Sequence, residues 1–266
     1  MLIHRELLAM LLVLLVLLVL ALEGRVHAAE IIGGREAVPH SRPYMALLNL
    51  HKKDGPTQYC GGFLLNADFV MTAAHCQARS FTVFLGLHNI KESYGQPRIT
   101  VEQAFPHKGY NASNYINDIM LLKLSSKANF TQNVRPIALA DHSDVSLPRS
   151  CLVSGWGAGT ERNQYLSEVL MEVDVTLVDR KQCAEKHLYC SEEKTGLSKG
   201  DSGGPLVCDG KAYGVVSSTF TPKSGAPKIN CFAKIPDVGR WIRSTMADAL
   251  KRPRYAPRLI DQLPPS

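Results

Sequence analysis

The stretch Gly200-Asp201-Ser202-Gly203-Gly204 decides the fold of this 266-residue chain. It places a serine among glycines and directly after a carboxylate. A serine hydroxyl is a weak nucleophile unless a base removes its proton, so a reactive Ser202 requires a histidine, and a carboxylate that orients it, elsewhere in the chain. The order of these three residues along the sequence differs between folds and therefore indicates which fold is present.

One fold that fits the pattern is the α/β-hydrolase fold, in which the G-x-S-x-G turn is followed by the acid and then by the histidine. This chain has nine histidines, and all of them precede Ser202. An α/β-hydrolase base is therefore absent. The histidines are His4, His27, His40, His51, His75, His88, His107, His142 and His187.

The best candidate for the base is His75, which lies in Met71-Thr72-Ala73-Ala74-His75-Cys76. Small residues can pack closely there, and a disulfide from the adjacent cysteine can hold the backbone of the imidazole in place. The candidate acid is Asp118, at the start of an apolar strand, where a charge needs a partner. We predict that Asp118 binds one ring nitrogen of His75, so that the other nitrogen faces Ser202.

These segments resemble the chymotrypsin-like serine proteases, whose triad order is histidine, aspartate, serine. The resemblance covers about residues 31 to 250 and implies an all-β fold of two packed six-stranded antiparallel barrels with a C-terminal α-helix. The barrels would span about residues 31–140 and 141–235, and the activity would be that of an endopeptidase working through an acyl-enzyme. The motifs in family order are Ile31-Ile32-Gly33-Gly34, Ala73-Ala74-His75-Cys76, Asp118-Ile119, Ser154-Gly155-Trp156-Gly157 and Gly200-Asp201-Ser202-Gly203-Gly204-Pro205.

The resemblance also assigns supporting roles. The backbone N–H groups of Gly200 and Ser202 would form the oxyanion hole. Ser217 would support Asp118 and pair with the substrate backbone. After proteolytic processing, the new α-amino group of Ile31 would form an ion pair with Asp201, which would order the oxyanion loop.

Specificity follows from the residues that the resemblance places around the pocket. Gly196 stands where trypsin-like relatives have an aspartate, so a preference for lysine or arginine is not expected. Leu197, Thr219 and Ile229 would make the pocket narrow and apolar, which favours small or medium aliphatic side chains. Ser218 replaces a tryptophan of most relatives, which predicts weak recognition of the neighbouring substrate residues.

The pattern of hydrophobic residues agrees with an all-β fold, because short apolar or alternating runs are separated by turn residues. Only one segment has convincing helical spacing, with apolar residues recurring every three or four positions between Val238 and Ala249. The predicted strands are Tyr44–Leu50, Gly62–Leu65, Thr82–Leu87, Ile119–Leu124, Cys151–Ser154, Val169–Leu177, Pro205–Cys208 and Ala212–Ser217.

The N-terminus has the pattern of a secretory signal peptide, residues 1–28. Arg5 precedes an apolar run from Leu7 to Leu22, which ends before a small-x-small cleavage pattern at Val26-His27-Ala28. The alternative is a membrane anchor, but the run is shorter than the roughly 20 residues of a spanning helix, so no transmembrane segment is expected in the mature form. The protein would enter the secretory pathway and be secreted or stored in granules.

Cleavage after residue 28 would leave Ala29-Glu30 as an acidic activation dipeptide, the type that a dipeptidyl aminopeptidase removes from granule proteases. The protease domain would then be residues 31–250. Residues 251–266 are basic and interrupted by prolines, and we expect this tail to be disordered.

Seven cysteines in a secreted chain predict disulfides with one thiol left over, although sequence alone does not assign the pairs. The resemblance implies three pairs and leaves Cys231 free. Ser198 replaces a cysteine that most relatives use for a further bridge, a feature similar to granzymes and mast-cell chymases. No C-x-x-C pairs with a second ligand cluster, so we expect neither a metal site nor a cofactor. The implied pairs are Cys60 with Cys76, Cys151 with Cys208, and Cys183 with Cys190.

The charge balance leaves a second function open. The net charge is +6, and loss of residues 1–30 would leave 28 basic and 21 acidic residues, a net charge of +7. This excess favours solubility or binding to polyanions such as sulfated glycosaminoglycans, whereas no nucleic-acid-binding motif is present. The rival to a protease is therefore a catalytically weak homologue that binds polyanions. Asn111-Ala112-Ser113 and Asn129-Phe130-Thr131 are potential N-glycosylation sites, expected on the surface.

Overall fold

The computed structural model describes residues 34–95, 97–143, 148, 150–158, 165–192, 197–222 and 227–251. The predicted leader, the activation dipeptide, Ile31, Gly196 and residues 252–266 lie outside the described residues. Within the described part no helix has the length and apolar character needed to cross a membrane.

The described residues form mainly β-strands. The strands, in chain order, are β1 (Arg35–Glu36), β2 (Met45–His51), β3 (Gln58–Asn66), β4 (Phe69–Thr72), β5 (Ser80–Leu85), β6 (Ile99–Pro106), β7 (Met120–Leu124), β8 (Ala138–Leu139), β9 (Ser150–Gly155), β10 (Met171–Val178), β11 (Leu188–Glu192), β12 (Pro205–Cys208), β13 (Lys211–Phe220) and β14 (Ile229–Lys234). The helices are α1 (Lys181–Ala184) and α2 (Gly239–Lys251), with short 3-10 turns at Ala74–Cys76, Ile90–Gly95 and Pro236–Val238.

Strands β2 to β7 close into the first barrel, in the order β2-β3-β4-β7-β6-β5, with β5 pairing back onto β2. Every residue of β4 and β7 is buried, which explains why these strands are mostly apolar and do not alternate with exposed polar residues. Closure of the sheet removes its free edges. The candidate base and the candidate acid lie next to adjacent strands of this barrel, since His75 follows β4 and Asp118 precedes β7, and these two strands pair antiparallel.

The second barrel consists of β9 to β14, in the closed order β9-β10-β11-β14-β13-β12. Strand β1 pairs with β10 outside this closed order, and β8 runs parallel to β13. The all-β architecture of two six-stranded antiparallel barrels with a C-terminal helix is thus confirmed. Ser202 lies between β11 and β12, so the candidate nucleophile belongs to this second barrel.

Helix α2 begins at Gly239, directly after the second barrel, and packs against the first. Lys123 of β7 donates from Nζ to the carbonyl oxygen of Ala249 at 3.1 Å. The helix buries Ile242 and Ala249 and ends at Lys251, one residue inside the predicted tail. It therefore ties together the two barrels whose junction carries the candidate site.

Three disulfides are present, and they are the three pairs that the resemblance implies: Cys60–Cys76, Cys151–Cys208 and Cys183–Cys190. Cys231 is free and buried, with its sulfur 3.6 Å from the Cys190 sulfur. Burial raises the pKa of the Cys231 thiol to about 11, so this thiol is protonated and unreactive at neutral pH.

Candidate active site

The turn that carries His75 binds Asp118 through two separate contacts. The imidazole Nδ1 lies 2.7 Å from Oδ2 of Asp118. The backbone N–H of His75 donates to Oδ1 of the same carboxylate at 2.8 Å. Because side chain and backbone are both held, the ring cannot rotate without losing a hydrogen bond, and its Nε2 is left for another partner.

Asp118 has no solvent exposure, so its charge depends on the donors around it. In addition to the two contacts from His75, the hydroxyl of Ser217 on β13 donates to Oδ2 at 2.7 Å. This third donor comes from the second barrel, whereas the carboxylate belongs to the first. The hydrogen bond from Ser217 therefore fixes the distance between the barrels at the point where the candidate site lies.

Contacts of the Ser202 backbone place it beside the segment that carries His75. Its carbonyl oxygen accepts a hydrogen bond from the N–H of Gly61 at 2.8 Å and lies 3.9 Å from the Cys76 sulfur. Since Cys76 follows His75 directly and is bridged to Cys60, next to Gly61, His75 and Ser202 lie on neighbouring segments. The sequence did not point to Gly61, because its donor is a backbone N–H group.

Gly203 is required by the tight approach of the two barrels behind Ser202. Its φ is +84°, and a Cβ at this position would lie 2.1 Å from Oγ1 of Thr72. Gly200 also has a positive φ, +110°. Both values lie in the region that glycine alone adopts without strain, so the two glycines permit the turn that presents the Gly200 and Ser202 N–H groups.

Asp201 is fully buried, and glycines surround its carboxylate. Oδ1 accepts from the N–H of Gly157 at 2.8 Å, and Oδ2 accepts from the N–H of Ser198 at 2.9 Å. A Cβ on Gly157 would lie 2.4 Å from Oδ2. No cationic side chain of residues 34–251, where described, pairs with this carboxylate, and burial accordingly raises the pKa of Asp201.

This burial predicts a pH dependence for the protein that still carries its activation dipeptide. A carboxyl group whose pKa is raised by folding binds more protons folded than unfolded, so stability falls as pH rises above the ordinary value of 3.8. We expect that the free energy of unfolding of the untrimmed protein, measured by urea denaturation, falls relative to that of Asp201→Asn between pH 4 and pH 7. Parallel pH profiles of the two proteins would contradict an unpaired buried charge.

Two residues predicted to line the specificity pocket pack in different hydrophobic clusters. Leu197 is buried in the core of the second barrel with Val216, as expected for a residue near Ser217. Ile229, however, belongs to a different cluster, which contains Cys183 and Cys190. Alternation along β14 places the next residue, Asn230, on the same face as Phe232, which packs in the cluster of Leu197.

Asn230 is therefore a candidate pocket residue that the sequence alone did not identify. It pairs with Thr219 across β13 and β14 and is fully buried. Its Nδ2 donates to the hydroxyl of Ser191 at 3.3 Å. Its Oδ1 has no hydrogen-bond partner among the described residues, which is unusual for a buried amide and leaves one acceptor unused.

Beside Ser218 lies a cavity of about 480 Å³. It is lined by Ser218 and Thr219 on one side and by Tyr115 on the other, and Cys231 also contributes to its wall. The Tyr115 ring meets the His75 ring edge-on, with centroids 5.9 Å apart. The position where most relatives carry tryptophan is thus open space next to the candidate triad.

Both predicted glycosylation acceptors, Asn111 and Asn129, are exposed. Asn111 lies on the loop that leads to Tyr115, and its side-chain oxygen accepts from the N–H of Ser113 at 2.9 Å. A glycan on Asn111 would lie on the same loop as the aromatic wall of the cavity.

Comparison with known proteins shows similarity to one protein family over most of the chain. The family model described as Trypsin matches residues 31–242. Granzyme B(G,H) from Mus musculus is 44% identical over 240 residues, which are 85% of this chain and 95% of that protein. Granzyme B from Homo sapiens is 43% identical over 235 residues, 84% of this chain and 93% of that protein. A solved structure described as "Structure of GrC" superposes with a TM-score of 0.73 at 41% identity, covering 82% of this chain and all of that one.

Proposed function

The chain belongs to the trypsin family and is a serine endopeptidase, and we propose that Ser202 is its nucleophile, His75 its general base and Asp118 the acid that orients the base. The observation that carries this assignment is the buried Asp118 carboxylate, held 2.7 Å from the His75 Nδ1 and 2.7 Å from the Ser217 hydroxyl. The Asp118 carboxylate thus contacts residues of both barrels, His75 of the first and Ser217 of the second.

In the proposed reaction, the hydroxyl of Ser202 attacks the carbonyl carbon of a peptide bond while Nε2 of His75 takes its proton. The N–H groups of Gly200 and Ser202 stabilise the oxyanion, a kind of contact worth about 3 kcal/mol per donor. The imidazolium, stabilised by Asp118, then protonates the leaving amine. Water, activated by the same imidazole, hydrolyses the acyl-enzyme and restores Ser202.

Activation is proposed to follow removal of Ala29-Glu30 by a dipeptidyl peptidase. The support is the buried Asp201, which lacks a cationic partner among the described residues. A free α-amino group at Ile31 would supply that charge and order the loop that carries the oxyanion N–H groups. It would also lower the pKa of Asp201, so the pH dependence predicted above would reverse sign in the trimmed protein.

We expect that the protein retaining Ala29-Glu30 cleaves peptides at least 1,000-fold more slowly than the protein that begins at Ile31, because loss of oxyanion donors costs about 10²- to 10³-fold each. The measurement is kcat/KM for one peptide with both forms prepared in parallel. Restoration of activity by a dipeptidyl aminopeptidase, added to the inactive form, is the matched control. Equal activity of the two forms would contradict the activation mechanism.

The proposed specificity is for small or medium apolar side chains before the cleaved bond. Leu197 supplies apolar bulk, and Thr219 narrows the entrance on β13. Asn230 adds a polar atom at a depth that longer side chains would reach, and its unused Oδ1 would accept a hydrogen bond from a side-chain donor. A peptide-library cleavage profile tests this proposal, and a preference for lysine or arginine would contradict it.

Storage in cytoplasmic secretory granules and secretion from them are part of the same proposal. The support is the identity of 40–44% to granzymes, chymase and cathepsin G over 82–85% of the chain. Immunolocalisation of the full-length chain in a granule-bearing cell, compared with a form lacking residues 1–28, is the direct test.

A second candidate function, binding of a sulfated glycosaminoglycan by a catalytically weak homologue, is favoured by one feature. A cavity of about 560 Å³ beside α2 is lined by Arg240, Arg243, His107 and His142. The exposed arginines lie three residues apart, on one face of the helix. Tight heparin binding that Arg240→Glu weakens, combined with no peptide turnover by the trimmed protein, would favour this candidate over the protease.

A further inference from the structure

A buried histidine has no role in the mechanism described above. His88 lies three residues after β5 and is only 7% exposed, and its Nε2 lies 2.8 Å from Oε1 of Glu36. Its Nδ1 has no hydrogen-bond partner among the described residues. A buried ring nitrogen without a partner is unfavourable, so an apolar side chain would fill this position at a lower cost in free energy. The hydrogen bond to Glu36 is what the histidine adds over an apolar residue.

Glu36 belongs to the short strand that follows Ile31, the predicted N-terminus after trimming. Strand β1 consists of two residues only, Arg35 and Glu36, and it pairs with β10. The backbone N–H of Ala37 donates to the carbonyl oxygen of Leu170 at 2.9 Å. These contacts are formed in the full-length chain, that is, before the activation dipeptide has been removed.

The hydrogen bond between Glu36 and His88 is harder to replace than the other contact that β1 makes with a buried side chain. Arg35 pairs with the buried Glu172, but Arg42 pairs with the same carboxylate at 2.9 Å. Glu172 therefore keeps a partner when Arg35 is lost. Loss of Glu36, in contrast, would leave neither ring nitrogen of the buried His88 with a partner among the described residues, which carries the full desolvation penalty of a polar group.

The backbone of His88 holds a second segment. Its carbonyl oxygen accepts from the indole Nε1 of the buried Trp156 at 3.0 Å and from the N–H of Leu170 at 2.9 Å. Trp156 directly precedes Gly157, whose N–H donates to Oδ1 of Asp201 at 2.8 Å. His88 thus contacts the strand after the new N-terminus through its side chain, and the wall of the Asp201 site through its carbonyl group.

The same wall continues to the turn that carries the proposed oxyanion donors. The N–H of Ala158, two residues after Trp156, donates to the carbonyl oxygen of Lys199 at 2.9 Å. Lys199 directly precedes Gly200. Strand β1, the Asp201 site and the oxyanion turn are therefore connected in series by hydrogen bonds, with His88 and Trp156 between them.

The position of β1 limits where the new α-amino group can go. Ile31 lies three residues before Gly34, and three extended residues span at most about 11 Å. Fixing the amino group at Asp201 costs conformational entropy for every residue that is not already held. While Glu36 holds β1, residues 34–37 add nothing to this cost. Without the hydrogen bond to His88 they would add to it.

We propose that Glu36 and His88 are a positioning pair for activation: their hydrogen bond holds the chain after the new N-terminus beside the Asp201 site, so that the α-amino group of Ile31 reaches the carboxylate. The two residues act through Ile31 and Asp201 and not on the substrate. The inference rests on the proposed activation by trimming, since only a free α-amino group can use this arrangement.

The experiment measures how often the α-amino group of the trimmed protein leaves Asp201. The trimmed protein is treated with a limiting amount of acetic anhydride at pH 8. Mass spectrometry of its peptides then gives the rate of acetylation of the Ile31 amino group relative to that of the exposed Lys52. An amino group in an ion pair with a buried carboxylate is protected, so the relative rate reports the fraction of molecules in which the pair is open.

We expect Glu36→Ala to raise this relative rate about tenfold, because a hydrogen bond between a carboxylate and a buried group is lost. Glu36→Gln keeps an acceptor for the Nε2–H of His88 and should raise the rate at most about threefold. His88→Phe should match Glu36→Ala, and the double variant should add little to either, since both changes remove the same contact. Glu92→Ala removes an exposed carboxylate from the 3-10 turn Ile90–Gly95 and should leave the rate unchanged.

The pH profile of kcat/KM is a second readout. The ion pair with Asp201 raises the pKa of the Ile31 amino group, so the active form is stable below that pKa and is lost as the pH rises through it. A tenfold less stable ion pair therefore moves the alkaline half-loss of activity about one pH unit lower. Glu36→Ala should show this shift and Glu92→Ala should not. A purely structural role of the pair would lower the unfolding temperature without moving the midpoint.

An unchanged acetylation rate in Glu36→Ala would overturn the positioning pair, whatever the effect on the unfolding temperature. Fully additive effects of Glu36→Ala and His88→Phe would also overturn it, because the two residues would then act separately. If the Ile31 amino group of the folded, trimmed protein is acetylated as fast as it is in urea, the ion pair with Asp201 does not form. That result would contradict the proposed activation itself.

Discussion

Replacing Ser202 with alanine will lower the rate of peptide cleavage by the trimmed protein about 10⁶-fold. The alanine has no hydroxyl to attack the carbonyl, so His75 has no proton to take and no acyl-enzyme can form. The small size of alanine leaves the turn between Gly200 and Gly203 undisturbed. The measurement is kcat for the best library peptide, with the variant purified separately from any source of the original protein.

The matched control for this variant is Ser244→Ala, which removes an exposed hydroxyl on α2 that donates to the carbonyl oxygen of Trp241. Its kcat should stay within twofold of the original. Both variants should unfold at the temperature of the original protein within a few degrees. Cleavage by Ser202→Ala at more than a thousandth of the original rate would show that another group is the nucleophile.

The second large effect concerns the orienting acid. Asp118→Asn should lower kcat about 10⁴-fold, because an amide NH₂ facing Nδ1 holds the imidazole in the wrong tautomer. The damage is increased here because Asp118 also accepts from the His75 backbone and from the Ser217 hydroxyl, and an amide has only one acceptor atom for these three donors.

Ser217→Ala is the graded comparison for this variant. It removes one of the three donors to Asp118 and leaves the His75–Asp118 contact in place, so the expected loss is about tenfold, equivalent to one hydrogen bond to a charged group. The order of the rates, original, then Ser217→Ala, then Asp118→Asn, is the result that the geometry predicts. Equal rates for Asp118→Asn and the original would remove Asp118 from the mechanism.

The architecture could be predicted from the sequence because it depends on two local signals, the short sequence motifs and the short apolar runs. Eight of the apolar runs overlap strands β2, β3, β5, β7, β9, β10, β12 and β13. Strand β6 was missed because most of its residues are exposed or half-buried, so its hydrophobic pattern is weak. Strands β11 and β14 were missed because they contain polar residues at buried positions, such as Ser191 and Asn230.

The pocket shows what the sequence could not provide. The register between β13 and β14 shifts between Val216 and Ser218, that is, at Ser217. A difference of one residue turns a side chain to the opposite face of the sheet, so the resemblance can name Ile229 while Asn230 is the residue that shares a face with Phe232.

The most direct test of the central claim is to treat the trimmed protein with a fluorophosphonate and to locate the adduct by mass spectrometry of its peptides. A fluorophosphonate reacts rapidly only with a serine that a neighbouring base activates within an oxyanion hole. The account predicts one adduct per molecule, on Ser202, with no adduct in His75→Ala. A folded, trimmed protein that remains unmodified, or that carries the adduct on a different residue, would contradict it.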